Sequence, residues 1–253
     1  MSGPALQAEV LDDPLTLWVT AGVALAFAAI HFGAPLLRRL FEPERPWLAS
    51  AAGGMAVAFA IIILLPELEY VHASVGDVVY PLVLAGLVGF YVAELGLLRR
   101  RAVPAGGGSA ALSTHDGAGA SVHLAISWLY TFGLVYALPD QVHEHAVVVL
   151  MTSVAIGLHL AYKDWLIVAH HPAVYRRMGR YLLATSPIAA FGATLVAGPS
   201  EMVSDLILAL IAGYMLQNVF RNEMPESRTS QPLAFAAGAL AVGGPITLAL
   251  YLV

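Results

Sequence analysis

Long apolar stretches separated by short polar loops are the feature that most constrains what this chain can fold into. Helices of roughly 17 to 25 apolar residues cross the ~30 Å hydrocarbon layer of a membrane. Such stretches lie at about 15–37, 47–65, 79–98, 122–142, 146–169, 181–198, 203–220 and 232–253. Hydrophobic residues make up 59% of the chain and charged residues only 11%, unlike ordinary soluble domains. The sequence predicts an all-α integral membrane protein with eight transmembrane helices, forming one transmembrane domain over residues 1–253.

The sequence also argues against several classes of function. The chain has no cysteine, so disulfides, thiolate metal sites and cysteine nucleophiles are excluded. It has no basic stripe with interleaved aromatic residues, which argues against nucleic acid as a partner. A phosphate-binding glycine loop, a nucleophile elbow and an intact His-Glu-x-x-His motif are all missing. We therefore predict that the protein is not an enzyme, and that its partners are the lipid bilayer and a small ion or solute.

The positively charged residues predict the orientation of the chain. Lys and Arg concentrate in cytoplasmic loops, and eleven of the 12 basic residues follow the first, third, fifth and seventh predicted helices. This arrangement places both termini outside, in a bacterial inner membrane or plasma membrane. Residues 102–120 (AVPAGGGSAALSTHDGAGA) form the longest of these cytoplasmic loops, and their Gly, Ala and Ser content predicts a flexible linker between helices three and four.

The second and seventh predicted helices share a signature. Gly54 precedes Pro66-Glu67 by 12 residues, and Gly213 precedes Pro225-Glu226 by the same interval. In an eight-helix arrangement these helices run in opposite directions, so the shared signature is what an inverted repeat would leave. Inverted repeats are typical of secondary transporters. The alternative is chance similarity in a sequence rich in Gly, Ala and Leu.

In its layout and short motifs the sequence resembles the ZIP (Zrt/Irt-like) family of divalent-metal transporters. The stretch AAGGMAVAFAIIILLPELE is similar to the family's second helix, YPLVLAGLVGFYVAELGLL to its third and IAGYMLQNVFRNEMPE to its seventh. The resemblance implies a bundle of eight helices with both termini outside and a long cytoplasmic loop between helices three and four. It also implies transport of a divalent metal ion such as zinc.

The same resemblance locates a metal site and shows that it has diverged. The family's fourth helix carries His-Asn-x-Pro-Asp-Gly, where this sequence has YALPDQ, beginning at Tyr136. The family's fifth helix carries His-Glu-x-x-His-Glu, where this sequence has HLAYKD, ending at Asp164. The resemblance thus implies Asp140 and His159 as the remaining metal ligands, whereas Lys163 replaces the second histidine. Since a protonated lysine has no lone pair for a metal, the resemblance implies a degenerate metal site.

Lys163 needs an explanation because a lysine inside a predicted membrane span is costly. It shares a helix face with His159, four residues earlier. At a similar depth in the predicted bundle, with Tyr136 nearby, lies a layer of polar residues comprising Glu94, His31, Asp164, Gln217 and Asn218. We expect this layer to form the transport site or to be what remains of one.

Three interpretations of Lys163 stay open at this point. In the first, Lys163 supplies the positive charge of a bound metal and is held by Glu94 or Asp164; Lys163→Met would then cost about 3–5 kcal/mol of stability. In the second, burial favours the neutral amine, so that Lys163 and His159 exchange a proton or bind an anionic or polar solute. In the third, the long stem snorkels to the cytoplasmic interface.

A further polar group is predicted at the outer end of the bundle. His143, Glu144 and His145 lie between the fourth and fifth predicted spans, and Glu67 lies at the outer end of the second. These residues would concentrate cations at an entrance, or they form an ordinary solvated connection. Gly86 and Gly89 in the third helix would allow either close helix packing or the contact of a homodimer.

We therefore expect a multi-pass, ZIP-like transporter that moves a divalent metal ion or another small solute. The alternative is a non-transporting homologue of the same fold. In that case Lys163 would occupy the former metal site, and the protein would have a structural or regulatory role.

Overall fold

The structure, a computed structural model, describes residues 13–37, 46–102, 109–170, 172–197, 200–223 and 231–252. These residues form eight helical segments, and the described part of the chain contains no strand. The uninterrupted helices are α1 (Pro14–Leu37), α3 (Val79–Ala102), α4 (Ser109–Tyr136), α5 (Leu138–His170) and α8 (Pro232–Leu252). Helix α2 is Pro46–Phe59, continued through Ala60–Leu64 to Leu65–Val75, and α7 is Glu201–Asn218, continued by Val219–Glu223. Helix α6 is Arg180–Ala197, preceded by Pro172–Val174 and Tyr175–Gly179.

Several of these helices have the length and composition of membrane spans. Three stretches of the described chain are long and apolar enough to cross a membrane: Pro14–Leu36, Trp47–Ala93 and Met202–Arg221. Leu124–Tyr136 and Pro232–Leu248 are shorter apolar helices. Large apolar side chains also point outward, and Val196 is 90% exposed. Since soluble monomers seldom expose large continuous apolar surfaces, these helices indicate a membrane-embedded protein.

The boundary between α4 and α5 differs from the sequence expectation. Residues 143–145 were expected to form the connection between the spans 122–142 and 146–169. The chain instead breaks at Ala137, and these residues lie in the first turns of α5. Proline is favoured at the start of a helix and disfavours helical geometry in the residue before it, so Pro139 explains the position of the break. Asp140 and 143–145 therefore belong to a helix.

The long predicted linker also differs in part. Helix α4 begins at Ser109, so residues 109–120 of the predicted flexible loop 102–120 are helical. Residues 103–108 lie outside the described residues.

The helices pack in two groups. Helix α1 packs against α5 and α6, and α4 packs against α6, whereas α2 packs against α8 and α3 against α7. The main core lies where these groups meet, and it includes Phe27 of α1, Phe59 of α2, Tyr130 of α4, Leu160 of α5 and Met215 of α7. A side chain near the middle of α5 can therefore contact both groups.

Glycines set the closest contacts of the α2–α8 pair. Gly54 lies against the carbonyl of Phe235 and the amide of Ala239, and Gly238 lies against the carbonyl of Ala51. A Cβ at either glycine would overlap the backbone of the other helix. These two backbones can be this close only because both positions lack a side chain.

The α7–α3 pair repeats this pattern. Gly213 lies against the carbonyl of Val83 and the amide of Leu87, and Gly86 lies against the carbonyl of Leu210. The spacings match those of the α2–α8 pair. The carbonyl and the amide that face Gly213 are four residues apart, as are those that face Gly54. Leu210 precedes Gly213 by three residues, as Ala51 precedes Gly54. Gly213 is the counterpart of Gly54, and Gly86 is the counterpart of Gly238.

Helices α2 and α7 also contain matching irregular turns. A π-helical turn, Ala60–Leu64, begins six residues after Gly54, and another, Val219–Glu223, begins six residues after Gly213. In α2 the turn directly precedes Leu65-Pro66, and a proline lacks the amide hydrogen and clashes with the carbonyl four residues earlier. Widening the helix by one residue accommodates it.

The glycine contacts lead to a stability prediction for α3. Gly86→Ala should destabilise the protein by about 1–3 kcal/mol, because the new methyl group has to push α7 away. Gly89→Ala is the matched control, since a Cβ at Gly89 meets nothing within 4 Å and alanine is the better helix former. Thermal unfolding in detergent measures both; equal stability of the two variants would contradict the packing described here.

Candidate functional site

Lys163 lies in α5 with its side chain buried against two aromatic rings. Its Nζ is 4.6 Å from the ring centroid of Tyr130 and 4.4 Å from that of Tyr214. The two ring centroids are 5.1 Å apart, so the three points form a nearly equilateral triangle with both rings on one side of the ammonium. We call Lys163, Tyr130 and Tyr214 the lysine site.

Contacts from four helices hold the two rings in place. Tyr130 of α4 donates a hydrogen bond from its hydroxyl to Met215 Sδ of α7, with 2.8 Å between the heavy atoms. Tyr214 of α7 packs against Phe90 of α3, with 4.4 Å between ring centroids. His159 of α5 stands edge-on to Tyr130 at 5.9 Å. The lysine site therefore joins the two helix groups, with Lys163 in one and Tyr214 in the other.

Aromatic faces explain part of the tolerance for a buried ammonium. The negative face of each ring attracts a cation, and this attraction reaches about 2 kcal/mol or more where water is excluded. Lys163 is only 9% exposed, and its nitrogen is inaccessible to solvent. The snorkelling interpretation requires the ammonium to reach solvent, and here it does not.

The expected polar layer is partly assembled around this site. His159, Gln217 and Asn218 are all buried. Gln217 and Asn218 follow Tyr214 by three and four residues and so lie on the same side of α7. Tyr136, the last residue of α4, is buried and stacks on Phe132. The side chain of Glu94 lies outside the described part of the structure.

Asp164, the next residue of α5, belongs to a separate cluster. Its Oδ2 lies 2.6 Å from His31 Nδ1 of α1 and accepts a hydrogen bond from the Tyr175 hydroxyl at 2.8 Å. The Tyr175 hydroxyl is also 2.6 Å from the His31 carbonyl, and His31 Nε2 is 3.2 Å from Thr131 Oγ1 of α4. These four residues, which we call the Asp164 cluster, connect α1, α4, α5 and the start of α6.

The Asp164 cluster is more deeply buried than the lysine site. His31, Thr131 and Tyr175 are 0% exposed and Asp164 is 1% exposed. Tyr175 lies between the predicted spans 146–169 and 181–198. Burial, followed by the adjacent Asp164 carboxylate, raises the pKa of the Tyr175 phenol above its ordinary value of 10.0. Tyr175 is therefore a permanent hydrogen donor.

These contacts bear on the expected partner of Lys163. The structure engages Asp164 with His31 and Tyr175, and it places tyrosine faces, which the sequence analysis did not anticipate, against Lys163. The proposal that Glu94 or Asp164 balances the lysine charge stays a prediction.

The metal ligands expected from the resemblance are not assembled within the described residues. Those residues contain no group of three or more His, Asp or Glu side chains that could hold a metal ion. His159 is buried beside Tyr130, and the side chain of Asp140 lies outside the described residues. Asp140 and His159 therefore stay predicted ligands.

A small cavity lies between α2 and α5, with further lining residues from α1, α4 and α7. It has a volume of about 40 Å³ and is lined mainly by apolar side chains, together with Glu67, Gln141 and Thr152. Gln141 Nε2 donates a hydrogen bond to Glu67 Oε1 at 3.3 Å. Met215, which accepts the Tyr130 hydrogen bond, also lines this cavity. Of the predicted entrance residues, Glu67 thus borders a cavity, whereas the side chains of 143–145 lie outside the described residues.

Four contributing residues were not singled out by the sequence analysis: Tyr130, Tyr214, Thr131 and Tyr175. Tyr214 carried a usable signal, because it lies one turn before Gln217 and Asn218 on the same helix. The other three lie in stretches with no motif, so only the packing of α4 and α6 against α5 reveals them.

Comparison of the chain with protein-family models, with curated proteins and with solved structures gives no match to any of them. The resemblance to the ZIP family therefore rests on the motifs quoted above.

The contact between Lys163 and Tyr214 can be tested with a double-mutant cycle. Lys163→Met and Tyr214→Leu should show a coupling of about 1–2 kcal/mol in the free energy of unfolding, because each removes one partner of the cation–π contact. Tyr214→Phe is the matched control, since it keeps the ring face and should show almost no coupling to Lys163→Met. Equal coupling for Leu and Phe would mean that the ring face does not hold the ammonium.

Proposed function

We propose that this protein is a ZIP-like membrane transporter of a small ion or solute, with its transport site at Lys163. The observation that carries the proposal is a buried ammonium on tyrosine faces where the two helix groups meet. A costly cation inside an apolar bundle marks a functional site by default. The proposal includes eight membrane spans with both termini outside.

Two matching helix pairs support this proposal. The α2–α8 and α7–α3 pairs have equivalent glycine contacts, and α2 and α7 have equivalent π-helical turns. We interpret these features as the two copies of an inverted repeat. Transporters built on such repeats bind substrate near the interface of the repeats and open to either side by rocking one bundle against another. Lys163 and Tyr214 lie where the two helix groups meet, which is the boundary at which such a bundle would rock.

The charge of Lys163 limits the substrate. Two unit charges 4 Å apart interact by about 4 kcal/mol at the effective dielectric constant near a protein surface, and a divalent cation beside Lys163 would be repelled about twice as strongly. We therefore propose that the charged lysine excludes a free divalent metal ion. The site would bind an anionic or polar solute, and it would bind a metal only when Lys163 is neutral or turned away.

The proposal predicts the outcome of metal transport measurements. Wild-type protein in liposomes should neither bind nor take up Zn²⁺, Mn²⁺ or Fe²⁺, whereas Lys163→His, which removes the fixed charge and adds a ligand, should bind at least one of them. Tyr162→His is the matched control, because it adds a histidine one residue away on α5. Uptake by the wild type would show that this is a metal transporter and that the electrostatic argument fails.

The second candidate function is a non-transporting homologue whose site is closed by Lys163. The burial of the ammonium against two rings favours it. Because the chain has no cysteine, Gln217→Cys provides a single reporter beside the lysine site. A transporter should allow a water-soluble maleimide to reach this cysteine from one side of the membrane, whereas a closed homologue should not. Tyr70→Cys, at a 73% exposed position, is the positive control.

A further inference from the structure

The Asp164 cluster is a buried titratable group that the lysine site does not use. It contains a histidine and an aspartate with Nδ1 and Oδ2 2.6 Å apart, both inaccessible to solvent. Such a pair is either a fixed clamp between α1 and α5 or a place where a proton is taken up and released. The hydrogen positions required by its contacts decide between these roles.

Thr131 determines the hydrogen on one side of the His31 ring. Its hydroxyl is 3.0 Å from the Ser127 carbonyl, and a carbonyl oxygen can only accept, so the hydroxyl hydrogen is used there. The contact between His31 Nε2 and Thr131 Oγ1 then requires a hydrogen on Nε2. A neutral imidazole has only one ring hydrogen, and this contact accounts for it.

The 2.6 Å contact on the other side of the ring therefore requires an additional proton. Without one, the lone pair of Nδ1 would face a carboxylate oxygen, which is repulsive at this distance. With one, the pair is an imidazolium with a carboxylate, or an imidazole with a carboxylic acid, joined by a short hydrogen bond. The geometry corresponds to the proton-loaded pair.

Asp164 has capacity for this exchange. Tyr175 has a single hydroxyl hydrogen for two acceptors, Asp164 Oδ2 and the His31 carbonyl. Asp164 Oδ1 is buried and has no hydrogen bond among the described residues. The carboxylate oxygens therefore retain lone pairs that can accept a proton.

We propose that the His31–Asp164 pair is a proton-binding site within the bundle. On release, the bond between the shared proton and Nδ1 or Oδ2 breaks, the proton leaves to water, and the pair changes from net zero charge to −1. The short contact between α1 and α5 is then lost. Among the other charged or titratable groups, Tyr175 donates a hydrogen bond to Asp164, and Arg180 interacts electrostatically with Tyr175. Lys163 directly precedes Asp164, His159 is five residues before it on α5, and Tyr130 directly precedes Thr131 on α4.

The position of the site suggests what the proton does. Asp164 directly follows Lys163, so the net negative charge that the pair gains on proton release lies close to the ammonium and draws it away from the tyrosine faces. Release of the proton would thus loosen the lysine site. This part of the inference rests on the proposed function, in which the proton is the coupling ion.

The protonation of the pair can be measured without any substrate. Protein labelled with ¹⁵N in histidine gives imidazole nitrogen signals, and His31→Gln identifies those of His31 by their loss. Spectra are recorded from about pH 5 to about pH 9, a range wider than the one in which an ordinary histidine changes its charge. Over this range the His31 signals should report the loss of one proton. In Asp164→Asn this step should move to lower pH. Constant signals across the range would show a fixed clamp and overturn the proposal.

Uptake into liposomes then tests the coupling role. With a solute that the wild type transports, the initial rate should respond to a pH gradient by up to about tenfold per unit, the limit for one proton, and Asp164→Asn should abolish this response. Ser186→Ala is the matched control, because it removes a buried hydrogen bond from α6 to the Trp128 carbonyl without removing a titratable group. Equal responses in wild type and Asp164→Asn would overturn the coupling role. If no solute is transported, the proposed function fails while the ¹⁵N result still decides whether the pair binds a proton.

Discussion

A positive charge within an apolar helical bundle is the constraint around which the centre of this protein is organised. An ammonium removed from water has to be compensated by nearby groups. Here two tyrosine faces supply part of this compensation, and one ring comes from each helix group. Each ring is positioned by a further contact, Tyr130 by Met215 and Tyr214 by Phe90. The lysine therefore depends on the positions of α4 and α7 beside α5 and on the packing of α3 against α7.

Close helix contacts make this packing possible. Glycines at matching positions let α2 approach α8, and α3 approach α7, until the backbones touch. Among apolar helices in a membrane, van der Waals packing of this kind replaces the hydrophobic driving force between helices. The matching π-helical turns lie in α2 and α7, each six residues after one of these glycines. Such turns are frequent at functional sites.

Two neighbouring residues of α5, Lys163 and Asp164, belong to different side-chain clusters. Successive residues of an α-helix point about 100° apart, so Lys163 and Asp164 cannot share one environment. Lys163 contacts Tyr130 and Tyr214, whereas Asp164 contacts His31 and Tyr175. Two buried ionisable sites of opposite formal charge thus lie side by side on one helix. A change in the charge of one alters the electrostatic cost of the other.

The sequence by itself determined the helical, membrane-embedded character of the chain, because long apolar stretches need no tertiary context to be recognised. It also predicted most helix positions, and it singled out Lys163, since a lysine is conspicuous in such a stretch. The start of α5 was misplaced because the polar residues 143–145 look like a loop, whereas the helix begins at Leu138, with Pro139 in its first turn.

Only the tertiary structure decided which residues surround Lys163 and Asp164. Tyr130 lies in α4 and Tyr175 at the start of α6, so neither belongs to the helix that carries Lys163 and Asp164. An isolated tyrosine in an apolar helix has no pattern that distinguishes a packing residue from a cation partner. The pairing of His31 with Asp164 spans 133 residues. Such contacts depend on how the helices rotate and cross. Side-chain packing between helices determines this geometry, and the local sequence does not.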